Sequence, residues 1–282
     1  MNSQARPQPA TPPSMDTIKA KMKATWMDGD YVAFARFMEP GAIEILNSWN
    51  IAPGEKLLDL GCGAGQIAIP AARKGVDVTG VDIAANLIEH ANGRARSEGL
   101  KSARFEEGDA ESLPHADASF DVVTSLIGAM FAPQPDKVAS EMARVCRPGG
   151  RVRMANWTPQ GFVGQFFKAL VRHVQPPAGV PSVFLWGDEE TVKTRLGKHF
   201  SKITLTRKHY PNWTYPFDTP EVVELFRNYY GPIKRAFDSL DAAGQAALRK
   251  DLEEVYAAHN EATDGTTRIR GGEFLDIHAV RA

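Results

Sequence analysis

The chain has 282 residues, 43% hydrophobic and 24% charged, enough for one large domain or one domain carrying insertions. A formal net charge of −1 supplies no broad positive field for general nucleic-acid binding, and the longest nearly apolar run, FDVVTSLIGAMFA, is too short to span a bilayer. The two cysteines, Cys62 and Cys146, make neither a metal-ligand spacing nor a disulfide framework, so no metal is expected and a reduced, cytoplasmic setting fits.

The N-terminal stretch MNSQARPQPATPPSM has prolines at 7, 9, 12 and 13 and no apolar leader segment; it reads as a disordered tail over 1–15. Residues 16–50 read as a helical cap. KLLDL (56–60) is an apolar run suited to a buried strand. AGQIAIPAARKG follows as a helix, stopped by Gly75 and bent or shortened by Pro70. VDVTGVD (76–82) is a second strand, and AANLIEHANGRARSEG a second helix ending at Gly99. ARFEEGD (103–109) and SFDVVTSLI (119–127) are the third and fourth strands. PDKVASEMARVC (135–146) is a helix, and RPGG turns the chain into a fifth strand, RVRMANW (151–157). This alternation predicts an α/β fold with a parallel sheet and right-handed crossovers.

After Trp157 the alternation stops. GQFFKALVRHV (164–174) reads as a helix ended by Pro176 and Pro177, and DEETVKTRLGKHF (188–200) as another with acids at its N-terminus. The stretch 158–200 is read as a lid or substrate segment, and 201–282 as the last two strands with a helical insertion. Those strands are SKITLTRKHY (201–210) and GEFLDIHAV (272–280). The insertion holds TPEVVELFRNYYG, with Thr219 as cap, Pro220 in the first turn and Gly231 as stop, and a helix within LDAAGQAALRKDLEEVYAAHN.

A strand feeding a glycine-rich turn and then a helix makes a ligand site at the strand's carboxyl end. In LLDLGCGAGQ the glycines fall at 61, 63 and 65, and position 66 is Gln, so the third glycine is misplaced for a dinucleotide fingerprint. Asp59 is also wrong for it: a carboxylate at the ligand edge repels pyrophosphate and suits an ammonium group.

With these features, the stretch 51–157 resembles a class I, Rossmann-like S-adenosylmethionine (SAM)-dependent methyltransferase. LLDLGCGAGQ is similar to the family's first motif, VTGVD places Asp82 at the end of the second strand, and GDAESLP (108–114), FDVVTS and RVCRPGGRV match the later ones in order and spacing. The resemblance implies a Rossmann-like, mostly parallel seven-stranded sheet with helices on both faces, and SAM as cofactor, with Asp82 on the ribose hydroxyls, Asp109 and the Ala110 amide at the adenine, and a binding set completed by Asp59, Gly61, Cys62, Gly63, Gly65, Ile83 and Leu126. Outside the core, WMDGDY, ANWTPQGFVGQFF, PPAGV and NYYGP look like a bacterial subgroup acting on small molecules. The acceptor would then lie over the fourth and fifth strands, against Met130, Phe131 and Trp157. Phe162, Phe166, Phe167, Phe184 and Trp186 form either an aromatic cover for an apolar acceptor or the core of a helical subdomain.

No catalytic residue is assigned. His173 is the one histidine considered as a base, and Cys62 reads as a small motif residue, not a nucleophile. Trp26, Asp30 and Tyr31 either cover the methionine end of the cofactor or pack an N-terminal helix. The expected partner is a small-molecule acceptor, with no nucleic acid and no membrane. A non-catalytic SAM-binding protein and an NAD(P)-dependent oxidoreductase stay as alternatives. Oligomeric state is not legible.

Overall fold

The computed structural model describes residues 13–176 and 178–282; most of the expected 1–15 tail lies outside them, and Ser14 already caps the first helix. Three helices come first: α1 (Met15–Trp26), α2 (Tyr31–Ala35) and α3 (Glu39–Ser48). β1 (Lys56–Leu60), α4 (Ala68–Arg73), β2 (Asp77–Asp82), α5 (Ala85–Ser97), β3 (Ala103–Glu107), β4 (Phe120–Leu126), α6 (Pro135–Val145) and β5 (Cys146–Trp157) build the alternating half. α7 (Phe162–Leu170), α8 (Glu189–Leu196), β6 (Phe200–His209) and β7 (Thr214–Tyr215) follow. α9 (Thr219–Tyr229), α10 (Gly231–Asp238), α11 (Ala242–His259), β8 (Thr267–Arg268) and β9 (Glu273–Arg281) complete the chain.

The seven-stranded sheet has the order β3-β2-β1-β4-β5-β9-β6. β3 through β5 run parallel, and β9 lies antiparallel between β5 and β6. The central strands are covered on both faces, which is why β1 and β4 are apolar runs and not alternating patterns. The strand order reverses between β1 and β4, and there the carboxyl ends of neighbouring strands diverge and leave a crevice. α9, α10 and α11 sit between β6 and β9 in the chain. Phe226 of α9 and Tyr256 of α11 pack on Phe166 of α7 at ring separations of 5.4 and 5.9 Å, so these helices roof the crevice.

Several local expectations change. Of the two effects expected of Pro70, α4 shows the shortening: it starts only at Ala68, which puts Pro70 in the first turn, where a missing N–H costs nothing. β3 stops at Glu107, two residues early. β5 begins at Cys146, with a register shift against β4 across the RPGG segment. Asp218, not Thr219, caps α9 by accepting from the Glu221 amide. Gly231 does not stop the chain: Tyr230 ends α9 and leads straight into α10. Glycine is required there because a Cβ would lie 2.0 Å from the Thr25 carbonyl oxygen of α1. Among the described residues no helix is long and apolar enough to cross a membrane.

Candidate cofactor and acceptor site

A deep cavity occupies the crevice, lined by the carboxyl ends of β1, β2, β4 and β5, the glycine turn, and helices α1, α2, α7 and α9. Asp59, Gly61, Cys62, Gly63, Asp82, Ile83, Asp109, Ala110 and Leu126 all line it. Gly65 and Met130 do not. Gly65 is turned into the core, where a Cβ would meet Ile69 Cγ1 at 2.8 Å and the Phe105 ring at 3.4 Å. Met130 is buried behind the short 3-10 turn Gly128–Phe131, which instead presents Phe131 to the cavity.

The three glycines are therefore bare for three reasons. Gly61 (φ +65°) lies against a second backbone, its would-be Cβ 2.6 Å from Gly128 Cα. Gly65 (φ +84°) packs inward. Gly63 (φ +55°) alone turns its missing side chain toward the cavity, toward Gln66 and Tyr31. Beside them Ile127, a β-branched residue, is held at φ +69°, a strained conformation of the kind found where surroundings fix the chain at a ligand site.

Asp59 is buried; its Oδ1 lies 3.1 Å from the Thr124 hydroxyl, and its Oδ2 has no partner among the described residues. Burial pushes its pKa up to about 8; the Thr124 hydrogen bond opposes this and the charge of Asp82 adds to it. An orphaned carboxylate oxygen on a cavity wall is costly unless a donor arrives from the cavity, which suits a cationic ligand group. Asp82 accepts from the Gly63 amide at 2.9 Å through one oxygen and from the Ala84 amide at 2.9 Å through the other. It thus holds the glycine turn and the start of α5 together. Each oxygen keeps a lone pair, so the carboxylate can still accept two hydroxyls. Burial raises its pKa against the opposing pull of those amides.

Asp109 accepts from the Glu111 amide at 2.9 Å and from Lys19 Nζ at 2.6 Å. Lys19 also pairs with Glu111, whose side chain is fully buried and which accepts from the Gln134 amide at 2.6 Å. Although burial opposes it, these acids raise the Lys19 pKa. Lys23 one turn on pairs with Glu107. α1 buries Ile18 and packs Trp26 on the core, and these ion pairs add to that packing in holding it over the cavity. Lys19 and Glu111 were not anticipated: Lys19 is ninety positions from Asp109, and nothing local marks a pairing at that range.

The remaining wall is aromatic. Trp26 meets Phe131 and Tyr230 edge-on at 5.0 and 5.8 Å, and Phe162, Phe166 and Phe167 of α7 line the same space. Trp157 lines it too, stacked at 5.4 Å on Trp213. Phe184 touches Phe167 from outside the lining, and Trp186 is buried under Arg195, 4.5 Å away, so neither faces the cavity. His173 is not in the wall; its Nε2 lies 2.9 Å from Asp251 of α11. Asp30 caps α2 by accepting from the Ala33 amide. Trp26 and Tyr31 do line the cavity.

Residues 58–154 match the model of a methyltransferase domain. The uncharacterized protein Rv1405c of Mycobacterium tuberculosis is 35% identical over 269 residues, 94% of this chain and 96% of its own. Methyltransferase GfsG of Streptomyces halstedii is 41% identical over 124 residues, 43% of this chain and 45% of its own. Among solved structures, Haemonchus contortus phosphoethanolamine N-methyltransferase 2, in complex with phosphomonomethylethanolamine and S-adenosylhomocysteine, aligns with a TM-score of 0.56 at 22% identity. The match covers 85% of this chain and 52% of that one. At that identity the likeness speaks to the fold.

Proposed function

The chain belongs to the class I SAM-dependent methyltransferases, with SAM as cofactor, and from that premise we propose that it transfers a methyl group to a small-molecule acceptor. When bound, the cofactor supplies a methyl group on a sulfonium, open to direct displacement. Asp59 would hold its ammonium group, Asp82 its ribose hydroxyls, and Asp109 with the Ala110 amide its adenine edge. The observation that carries this reading is the buried, unpartnered Oδ2 of Asp59 on the wall it shares with Gly63 and Asp82.

The chain's own contribution is binding, alignment and exclusion of water. The acceptor must lie in line with the bond that breaks, and alignment alone can be worth ~7–11 kcal/mol in favourable intramolecular cases. An aromatic wall suits a reaction whose charge disperses. The groups lining the aromatic side that can titrate are tyrosines, so no general base is assigned. Buried, unpaired Cys62 and Cys146 fit a reducing cytoplasm, which is part of the proposal.

The test has two parts. Calorimetry with SAM and S-adenosylhomocysteine should give saturable binding that NADH does not compete. A screen of phenols, quinones, thiols and amines, read as S-adenosylhomocysteine release, should find turnover. Binding without any turnover across that panel would favour a non-catalytic SAM-binding protein.

A further inference from the structure

The cavity is divided by charge. Its charged side chains among the described residues are Lys19, Asp59, Asp82 and Asp109, all on the cofactor side, and Lys19 is already paired with acids. The other side is built from rings such as Phe34, Phe131, Trp157, Phe162, Phe166 and Phe226. A carboxylate, phosphate or ammonium carried by the acceptor would find no counter-charge there and would lose its hydration.

The polar atoms on that side are few, and some are spent. The Tyr210 hydroxyl donates to the Met38 carbonyl at 2.8 Å, and Trp213 Nε1 donates to the Tyr215 hydroxyl at 2.8 Å. The hydroxyls of Tyr31 and Tyr230 have no such partner among the described residues, and both residues line the cavity. Their rings lie 6.3 Å apart and meet Trp26 at 6.0 and 5.8 Å. Tyr31 stands at the boundary between the two sides, its Cε1 3.6 Å from where a Gly63 Cβ would be. Burial raises both phenols well above their ordinary range, so they stay neutral and offer hydrogen bonds, not charge.

We infer, on the reading of this cavity as a methyltransferase site, that its acceptor is neutral, flat and largely apolar, and that Tyr31 and Tyr230 hold that acceptor's polar group beside the glycine turn. Both are positioning residues. They take a hydroxyl or carbonyl on an aromatic or conjugated ring, and the edge-on ring geometry of Trp26 and Phe131 suits a planar guest.

Binding is read by quenching of tryptophan fluorescence, since Trp26, Trp157 and Trp213 line the cavity. The probes are 2-naphthol, 2-naphthoate, 2-naphthylmethylammonium and naphthalene, with and without saturating S-adenosylhomocysteine. 2-Naphthol should bind at least tenfold more tightly than either charged analogue. Tyr31→Phe and Tyr230→Phe should each weaken 2-naphthol five- to tenfold and leave naphthalene unchanged, a split that general loss of packing would not give. Equal binding of charged and neutral probes overturns the inference, as does no binding of any probe, or 2-naphthol affinity indifferent to both variants. Failure of S-adenosylhomocysteine to bind while the preference for 2-naphthol persists overturns the methyltransferase reading and leaves the pocket's preference standing.

Discussion

Asp59→Asn separates a buried carboxylate that serves a ligand from one that serves the fold. In the ligand-free protein the Asp59 pKa is pushed up to about 8 from 3.8. The folded state therefore holds an extra proton through most of the window from pH 4 to 8, and stability falls as pH rises across it. The slope is about 1.4 kcal/mol per pH unit, or about 2.7 kcal/mol between pH 5 and 7. The substitution removes that slope, so the ligand-free variant should melt higher than the wild type at pH 8. Cofactor binding should behave in the opposite sense. At pH 7 about nine-tenths of Asp59 is protonated, and pairing with an ammonium group expels the proton. Wild-type affinity for S-adenosylhomocysteine should then rise about fiftyfold from pH 6 to 8, and the variant's should be weaker and nearly flat. Titration calorimetry at pH 7 in two buffers of different ionisation enthalpy counts the proton. A buffer-independent enthalpy with pH-independent wild-type affinity would refute the reasoning.

Four further outcomes follow from the site's geometry. Gly63→Ala should cut S-adenosylhomocysteine affinity at least tenfold at a stability cost of about 1–2 kcal/mol, since its methyl meets the movable end of Gln66 and a positive φ costs about that much. Gly65→Ala should do the reverse, lowering the melting temperature by several degrees through its clash with Ile69 while the folded protein keeps affinity within about threefold; calorimetry with a melting curve tests the pair. Lys19→Met should cost about 1–3 kcal/mol by leaving buried Glu111 without its cation, and should speed S-adenosylhomocysteine release in stopped-flow. In the wild type that release should quicken with salt, because Lys23–Glu107 is partly exposed and screened.

The sheet was legible because its signals are local. An apolar run, a glycine and an amphipathic run suffice to place β1, α4 and β2, and the misplaced third glycine was enough to turn the reading away from a dinucleotide. The same locality misled at single residues. Gly65 sits in the motif, so the resemblance assigned it to the ligand, but its bareness answers to Ile69 and Phe105 from later in the chain. Gly231 looked like a helix stop because glycine commonly is one. What demanded glycine was the Thr25 carbonyl of α1, more than two hundred positions away.

The two sides of the cavity also differ in what they are made from, and this governs how far each could be foreseen. The cofactor side is made largely of backbone: a turn with three positive φ angles, and two amides fixed on Asp82. Backbone geometry of that kind needs particular residues at fixed spacing, so it leaves a motif. The acceptor side is made of side chains that converge from α1, α2, α7, α9 and the β5 end. Strand order could bring Phe131, Trp157 and the aromatics after them to the acceptor, but Phe34 and Phe226, seen in sequence, are ordinary core residues, and both are in fact as buried as core residues are. Only topology brings them to one place. A selectivity built from converging neutral rings and two tyrosine hydroxyls is therefore carried by packing, and changing the guest should require changing several distant positions together, not one motif residue.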